Sequence, residues 1–329
     1  MLSRVAEALY WMQRYRERAE NTARLAEVNL HLSIDAVGDD QVQWYPLVAT
    51  TGDHEIFKEI YDKPTEASVL RFLTFEERNP NSIFNCLHRS RENARAIRPI
   101  ITSEMWQEIN TIYLYVQKKY ATLGAALPNR DFYDYIRKSC QLFTGITDTT
   151  LSHNESWHFA RLGNPLERAD QTSRILDFKY YMLLPSPEHV GTAFDDIQWA
   201  ALLKSVSALE MYRRIHHSIQ HSHVAEFLIL NLEFPRSIRS CLARAEQSLG
   251  WILGQEAPDT EPYKLVSKLC GDLSRIKIYD IIKKGMHEYL DEIQSRIIEI
   301  HTAIFNEFFA LTPDTQPDHL AMSMNMSAE

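Results

Sequence analysis

The sequence contains little glycine: 10 of its 329 residues, about 3%, where about 7% is usual. Glycine supplies the positive φ angles of tight turns, so all-β folds and phosphate-cradling α/β folds use it freely. The sequence also contains no Walker loop, no GxGxxG and no GxSxG motif. We therefore expect a mostly helical chain with no cofactor site of its own, in which any nucleotide chemistry comes from another polypeptide.

A basic excess is missing as well, since 35 Lys and Arg residues face 44 Asp and Glu residues. We therefore expect no nucleic-acid partner. The apolar stretch 225–232 is interrupted by Glu226 and Asn231 and is far shorter than the roughly 20 residues that span a bilayer. The N-terminus has no uninterrupted apolar core, so neither a membrane span nor a signal peptide is expected.

Cysteine is scarce and has no paired spacing. The four cysteines are Cys86, Cys140, Cys241 and Cys270, and no CxxC occurs. A chain of this length can bury a core without disulfides. We therefore expect reduced, packed thiols and a cytoplasmic protein.

The patterns that are present are helical, and no segment alternates apolar and polar residues as a strand would. Asn79 and Pro80 form a helix-start signal, and Pro165 predicts the start of a later helix. Residues 312–329 are predicted to be a disordered tail. The predicted helices are 4–32, 41–61, 80–99, 103–122, 130–145, 164–182, 195–217, 222–232, 236–253 and 272–311.

The sequence repeats itself in two blocks that occur in the same order in each half. Residues 17–25 match residues 167–175 at five of nine positions, and residues 80–89 match residues 235–244 at six of ten. The shifts are 150 and 155 residues. This pattern predicts an all-α helical bundle built by tandem duplication in a pseudo-two-fold arrangement, although domain swapping between the halves would give the same sequence. The predicted repeats, packed as one domain, are 1–150 and 151–311.

The repeated helix carries the candidate site. Glu17 and Glu167 are the candidate catalytic residues, as a pair of carboxylates for acid–base chemistry or ligand binding. The alternative is an inter-helix salt-bridge network kept for packing. The candidate ligand-binding residues around the two glutamates are Arg14, Arg18, Glu20, Arg24, Arg168, Asp170 and Arg174.

Three other features give weaker hypotheses. A histidine cluster could hold a metal, but it is more typical of a turn between helices, and no metal site is predicted. An arginine run could bind an anion or pair with neighbouring acids such as Glu92. The 272–311 helix could support a homo-oligomer. The two clusters are His216, His217, His221 and His223, and Arg89, Arg91, Arg95 and Arg98.

Residues 2–24 (LSRVAEALYWMQRYRERAENTAR) resemble the start of the bacterial alpha-E domain family, and residues 157–174 (WHFARLGNPLERADQTSR) are similar to its internal motif. The resemblance covers the chain to about residue 311. It implies a helical protein encoded beside, or fused to, a circularly permuted ATP-grasp ligase. It also implies an association with a transglutaminase-like peptidase and the proteasome-like Anbu protein.

Two functions are therefore expected as alternatives. The first is an accessory protein that acts with an ATP-grasp amide ligase and binds the ligase or its peptide substrate. The second is an enzyme that uses Glu17, Glu167 and the neighbouring arginines on a carboxylate-bearing or peptide substrate. The residues alone leave open whether the chain is catalytic.

Overall fold

A computed structural model of the chain describes residues 1–33, 40–124, 126–182 and 193–310. Within these ranges the chain forms fifteen α helices and no strand. The all-α prediction is therefore confirmed. The predicted tail, 312–329, lies outside the described residues.

Seven helices precede residue 151: α1 (Ser3–Ser33), α2 (Asp40–Thr51), α3 (His54–Ile60), α4 (Glu66–Thr74), α5 (Ile83–Ala96), α6 (Ser103–Leu123) and α7 (Arg130–Thr150). Polar side chains cap four of them. Thr65, Ser82, Thr102 and Asn129 each accept a hydrogen bond from the backbone N–H three residues further on. These bonds satisfy donors that the start of a helix otherwise leaves without a partner.

Eight α helices follow: α8 (Glu155–Met182), α9 (Ala193–Ser205), α10 (Leu209–Ile215), α11 (His221–Leu230), α12 (Ile238–Leu253), α13 (Glu261–Arg275), α14 (Ile278–Lys284) and α15 (Met286–Ile304). A 3-10 turn, Gly254–Asp259, joins α12 to α13, and a π-helical turn, Phe305–Phe309, extends α15. Ser237 caps α12 as Ser82 caps α5.

Two predicted helices are interrupted in the structure. The predicted 41–61 helix breaks at Gly52, whose φ of 79° ends α2 before α3 begins. The predicted 195–217 helix breaks at Ser207, where φ is 53° and α9 gives way to α10. A positive φ lies outside the right-handed helical region, so a helix cannot continue through either residue.

The predicted single helix over 272–311 is also wrong. Extended backbone at Ile276 ends α13, and Gly285, with a φ of 108°, separates α14 from α15. The homo-oligomer hypothesis relied on one continuous helix over 272–311, and the described residues do not form one.

Asn79 and Pro80 do not begin a helix, because α5 is capped by Ser82, three residues after Asn79. The Asn79 side chain instead donates to the backbone oxygen of Phe72 at 3.1 Å and accepts from the backbone N–H of Asn81 at 2.9 Å. The side chain thus holds the loop before α5 in place. The helix begins at Ile83, three residues after the start that Pro80 predicts.

The helix predicted to begin at Pro165 begins ten residues earlier, and α8 runs through the proline. Proline inside a helix costs about 3 kcal/mol. Phe159, Leu162 and Leu166 flank it, and all three are buried. Since burial of each such side chain contributes about 1.5–3 kcal/mol, packing of α8 on both sides of Pro165 outweighs that cost.

The bundle is organised around α1 and α8, which pack along each other. The first also packs on α5 and α7, and the second on α12 and α15. At the crossing, a Cβ on Gly163 would stand 2.3 Å from the backbone oxygen of Tyr10, so the two backbones touch. Ala19 and Ala23 are fully buried, as the strip of small residues on α1 predicts.

All four cysteines are free thiols, three of them buried and Cys270 partly buried. Among the described helices, none combines the length and the apolar character needed to cross a membrane.

Candidate functional site

The site lies where α1 crosses α8. The Glu17 carboxylate on α1 is fully buried and receives two parallel hydrogen bonds from the guanidinium of Arg168 on α8. The Nε of Arg168 lies 2.8 Å from Oε1 of Glu17, and its Nη2 lies 2.8 Å from Oε2. Such a two-pronged pair is among the strongest hydrogen-bonded contacts between side chains.

The same arrangement occurs in the opposite direction. The fully buried Glu167 on α8 receives Nε of Arg18 at 2.6 Å and its Nη2 at 2.9 Å. Arg14 adds a third bond, from Nε to Oε2 at 2.9 Å. We call the reciprocal pairs Glu17–Arg168 and Glu167–Arg18 the Glu–Arg clasp. Each glutamate is thus held by an arginine of the other helix.

Further charges surround the Glu17 side of the clasp. Arg236, just before α12, donates to Glu17 at 2.8 Å and to Glu20 at 2.6 Å. Arg16 donates to the same two carboxylates at 3.1 and 3.0 Å. Arg24 also pairs with Glu20. We call this group the Glu17 end: Glu17, Glu20, Arg16, Arg24, Arg168 and Arg236.

The other side is built differently. Arg174 donates from Nε to Asp170 at 2.9 Å. Arg18 donates from Nη1 to Asn81, whose amide in turn donates to Asp53 at 2.9 Å. We call this group the Glu167 end: Glu167, Asp170, Asp53, Arg14, Arg18 and Arg174.

The arginines keep both glutamates ionised. Burial on its own would raise the pKa of Glu17, but Arg168 and Arg236, followed by Arg16, outweigh it and hold that pKa well below its usual range. Burial would likewise raise the pKa of Glu167, but Arg18 and Arg14 outweigh it and bring that pKa to about 2. A carboxyl that is ionised at neutral pH and sealed from water is poorly suited to exchange protons with a substrate.

All the residues predicted for the site therefore meet at one crossing. Two cavities in the described structure, one beside Arg174 and one beside Arg239, are lined by neither Glu17 nor Glu167. The arrangement consequently fits the salt-bridge network better than a catalytic pair.

The sequence prediction missed Arg16, Arg236 and a polar chain beside Arg14. That chain runs from Nη1 of Arg14 to the hydroxyl of Tyr10 at 3.2 Å, and from there to Nδ1 of His301 at 3.0 Å. Arg236 lies inside a repeated block, opposite Asn81, so the block itself was a usable signal. No sequence signal marked His301, because its hydrogen bond with Tyr10 joins residues 291 positions apart in the chain.

The weaker hypotheses resolve into local contacts. Within the described residues, no group of three or more His, Cys, Asp or Glu side chains is arranged to hold a metal. His216 follows α10 and stacks on His223 of α11, with ring centroids 4.7 Å apart, as expected of a turn between helices.

The arginine run is largely partnered. Arg91 and Arg95 both pair with Glu92 at 2.6 Å, and Arg98 lies over the ring of Trp106 at 4.8 Å. These contacts follow the paired alternative rather than an open anion site.

A comparison with the sequence models of known families identifies the family of this chain. The sequence model of the Alpha-E family, described as a predicted alpha-helical domain with a conserved ER motif, matches residues 1–309. The chain therefore belongs to the Alpha-E family. Glu-Arg occurs in the clasp as Glu17-Arg18 and Glu167-Arg168, and once more as Glu77-Arg78 in the loop before α5.

The chain is also similar to uncharacterized proteins of Mycobacterium bovis and of two strains of Mycobacterium tuberculosis. Each is 22% identical over 322 residues, a match that covers 89% of this chain and 35% of the relative. The chain thus spans about a third of the length of these relatives. No solved structure matches it.

Proposed function

We propose that this chain is an accessory helical protein that acts with an ATP-grasp amide ligase and binds the ligase or its peptide substrate. The observation that carries the proposal is the burial of Glu17 and Glu167. Both carboxylates are fully buried, and each is bound by an arginine of the opposite helix. The two groups best placed to act as catalysts in the sequence are thereby committed to holding α1 on α8.

The identity of the partner rests on family membership and on what the resemblance to alpha-E proteins implies. Two further facts support it. The chain is poor in glycine and contains no nucleotide-binding motif, so ATP chemistry has to come from elsewhere. In addition, the matched region makes up 35% of each relative, which leaves room there for a further domain.

We also propose that residues 1–150 and 151–311 are duplicated units packed as one domain about a pseudo-two-fold axis. Helix positions support this proposal. Shifting α3 by 155 residues gives the bounds of α10, and the same shift carries the first residues of α4 and α5 onto those of α11 and α12. The reciprocal pairing in the clasp is what a two-fold relation between α1 and α8 would produce.

Association is the direct test of the proposed function. The purified chain is mixed with the ATP-grasp protein encoded beside it, and the mixture is analysed by size-exclusion chromatography with light scattering. We expect a complex with a dissociation constant of about 1–10 µM or tighter. Absence of a complex at about 100 µM of each protein would contradict the proposal.

A variant separates the accessory function from the enzyme alternative. Glu17→Met with Arg168→Met removes both members of one pair, a change that proteins often tolerate when the new side chains pack well. We expect the folded double variant to bind the ATP-grasp protein as the wild type does. If the chain alone modifies a peptide and the folded double variant does not, the enzyme alternative is correct.

A further inference from the structure

A cavity of about 170 Å3 lies between α2, α8 and α15, next to the Glu167 end. Its lining includes Thr50, Arg174, Asp177, Phe178, His287 and Gln294. A protein cavity of about 150 Å3 can take up benzene, so this one has room for a molecule of about six heavy atoms. The His287 side chain is 57% exposed, so the cavity reaches the surface.

Arg174 supplies a cation to the cavity. It bonds to Asp170 through Nε, at 2.9 Å, and within the described residues its two terminal nitrogens make no other hydrogen bond. Nη1 lies 3.4 Å from the point where a Cβ on Gly52 would stand, so the guanidinium lies against the turn at the end of α2. A guanidinium fork of this kind matches a carboxylate.

Gln294 adds a neutral donor. Its Nε2 is buried and has no hydrogen-bond partner among the described residues. Buried polar groups in folded proteins are nearly always satisfied, and an unmade bond of this kind is costly. A ligand that presents an acceptor beside Gln294 would remove that cost.

Asp177 supplies the opposite charge. Its Oδ1 accepts from Nδ1 of His287 at 2.7 Å, and its side chain is 18% exposed. Burial raises the pKa of the Asp177 carboxyl, and the hydrogen bond and charge of His287 act against that rise. The bond to His287 uses Oδ1, and Asp177 lines the cavity, so an ammonium group on a ligand there would give the carboxylate a second partner.

We propose that the cavity binds a small free α-amino acid of the size of glycine or alanine, with its carboxylate on Arg174 and Gln294 and its ammonium group on Asp177. Such a molecule fits the volume and carries both charges a short distance apart. A simple carboxylate would bring Asp177 no further cation beside His287, and a simple amine would bring Arg174 and Gln294 no further acceptor. The proposal does not depend on the ATP-grasp partner.

Calorimetric titration of the full chain at neutral pH tests the site with five probes: glycine, L-alanine, acetate, methylammonium and inorganic phosphate. We expect glycine or L-alanine to bind about tenfold more tightly than any of the other three. No binding of either amino acid at about 10 mM would overturn the proposal. Equal or tighter binding of acetate or phosphate would also overturn it, because the site would then be a plain anion site.

Variants locate the binding. Arg174→Met and Asp177→Asn should each weaken amino-acid binding by about tenfold or more. Arg137→Met is the matched control: its side chain is 23% exposed, against 28% for Arg174, and it pairs with acids away from the cavity. We expect the control to bind normally. Unchanged affinity in Asp177→Asn, which keeps the shape of the side chain, would overturn the proposal even if Arg174→Met fails to fold.

Gln294→Leu gives a signature that a purely structural role would not. We expect the variant to bind the amino acid about tenfold more weakly, while its melting temperature without ligand rises by about 2 °C because a buried, unpartnered donor is gone. A lower melting temperature together with unchanged affinity would contradict the assigned role of Gln294.

Discussion

The two ends of the clasp share the same carboxylate–guanidinium fork but differ in the charge around it. The Glu17 end holds two carboxylates and four arginines, a formal excess of two positive charges. The Glu167 end holds three carboxylates and three arginines, which balance. Arg236 accounts for much of the difference, because the residue opposite it in the repeated block is the neutral Asn81.

The excess charge at the Glu17 end is visible in Arg24. This side chain is 2% exposed, and its Nε and Nη1 have no hydrogen-bond partner among the described residues. Burial, with Arg236 next in importance, lowers the pKa of Arg24 to about 10. Arg174 at the other end is 28% exposed and borders a cavity. The Glu17 end is therefore a buried cluster with a positive excess, whereas the Glu167 end borders a cavity through Arg174.

Loss of either glutamate should give the largest effect and should separate the two ends. Breaking a buried ion pair from one side costs about 3–5 kcal/mol. We expect Glu17→Gln to lower the free energy of unfolding by about 4 kcal/mol and Glu167→Gln by about 3 kcal/mol, because the Glu17 end already has a positive excess. Urea denaturation measures both.

Glu55→Gln is the control for this pair of variants, since its side chain is 73% exposed and its loss should leave the free energy of unfolding almost unchanged. A larger loss of unfolding free energy in Glu167→Gln than in Glu17→Gln would contradict the greater positive excess at the Glu17 end.

A methyl group at the helix crossing should disturb the Glu167 end first. In Gly163→Ala the new Cβ would stand 2.3 Å from the backbone oxygen of Tyr10 and 3.2 Å from Cγ of Arg14. Because both neighbours would have to move, we expect a loss of about 2–3 kcal/mol in thermal or urea unfolding.

Gly145 in α7 provides the matched control, because a Cβ there meets nothing within 4 Å. Gly145→Ala should stabilise the chain by about 0.5–1 kcal/mol through helix propensity alone. A neutral Gly163→Ala would mean that α1 and α8 do not approach this closely.

Removal of one arginine from each end should give the smallest effect, with opposite signs. Arg24→Met takes away a buried, incompletely partnered cation while Arg16 and Arg236 still bind Glu20, so we expect a gain of up to about 1 kcal/mol. Arg174→Met should cost about 0.5 kcal/mol, as for a partly exposed pair. Denaturation of the ligand-free variants compares them, and a loss in Arg24→Met would show that the charge excess is compensated.

Much of the crossing could be predicted from the sequence, because a solvated helix face has no reason to repeat its charges at a distance of 150 residues. The repetition identified both glutamates and the two arginines of the clasp, Arg18 and Arg168. It also predicted helices in the positions of α1 and α8. The repetition does not show which arginine binds which glutamate, because the two residues of each Glu-Arg dipeptide are chain neighbours and could pair with each other.

The missed features depend on contacts between distant segments. Arg236 reaches Glu20 across 216 residues, so its place in the repeated block marks the residue but not the contact. The break at Ser207 depends on a positive φ in a residue that is not glycine, which sequence patterns rarely reveal. Pro165 shows the reverse case, in which a local signal for a helix start is overridden by packing on both of its sides.

Double-mutant cycles on Glu17 test the central claim most directly. We expect a coupling energy of about 2–3 kcal/mol between Glu17 and Arg168, measured from Glu17→Gln, Arg168→Gln and the double variant. Between Glu17 and its chain neighbour Arg18 we expect a coupling energy of less than about 0.5 kcal/mol. A Glu17–Arg18 coupling that equals or exceeds the Glu17–Arg168 coupling would contradict the reciprocal clasp.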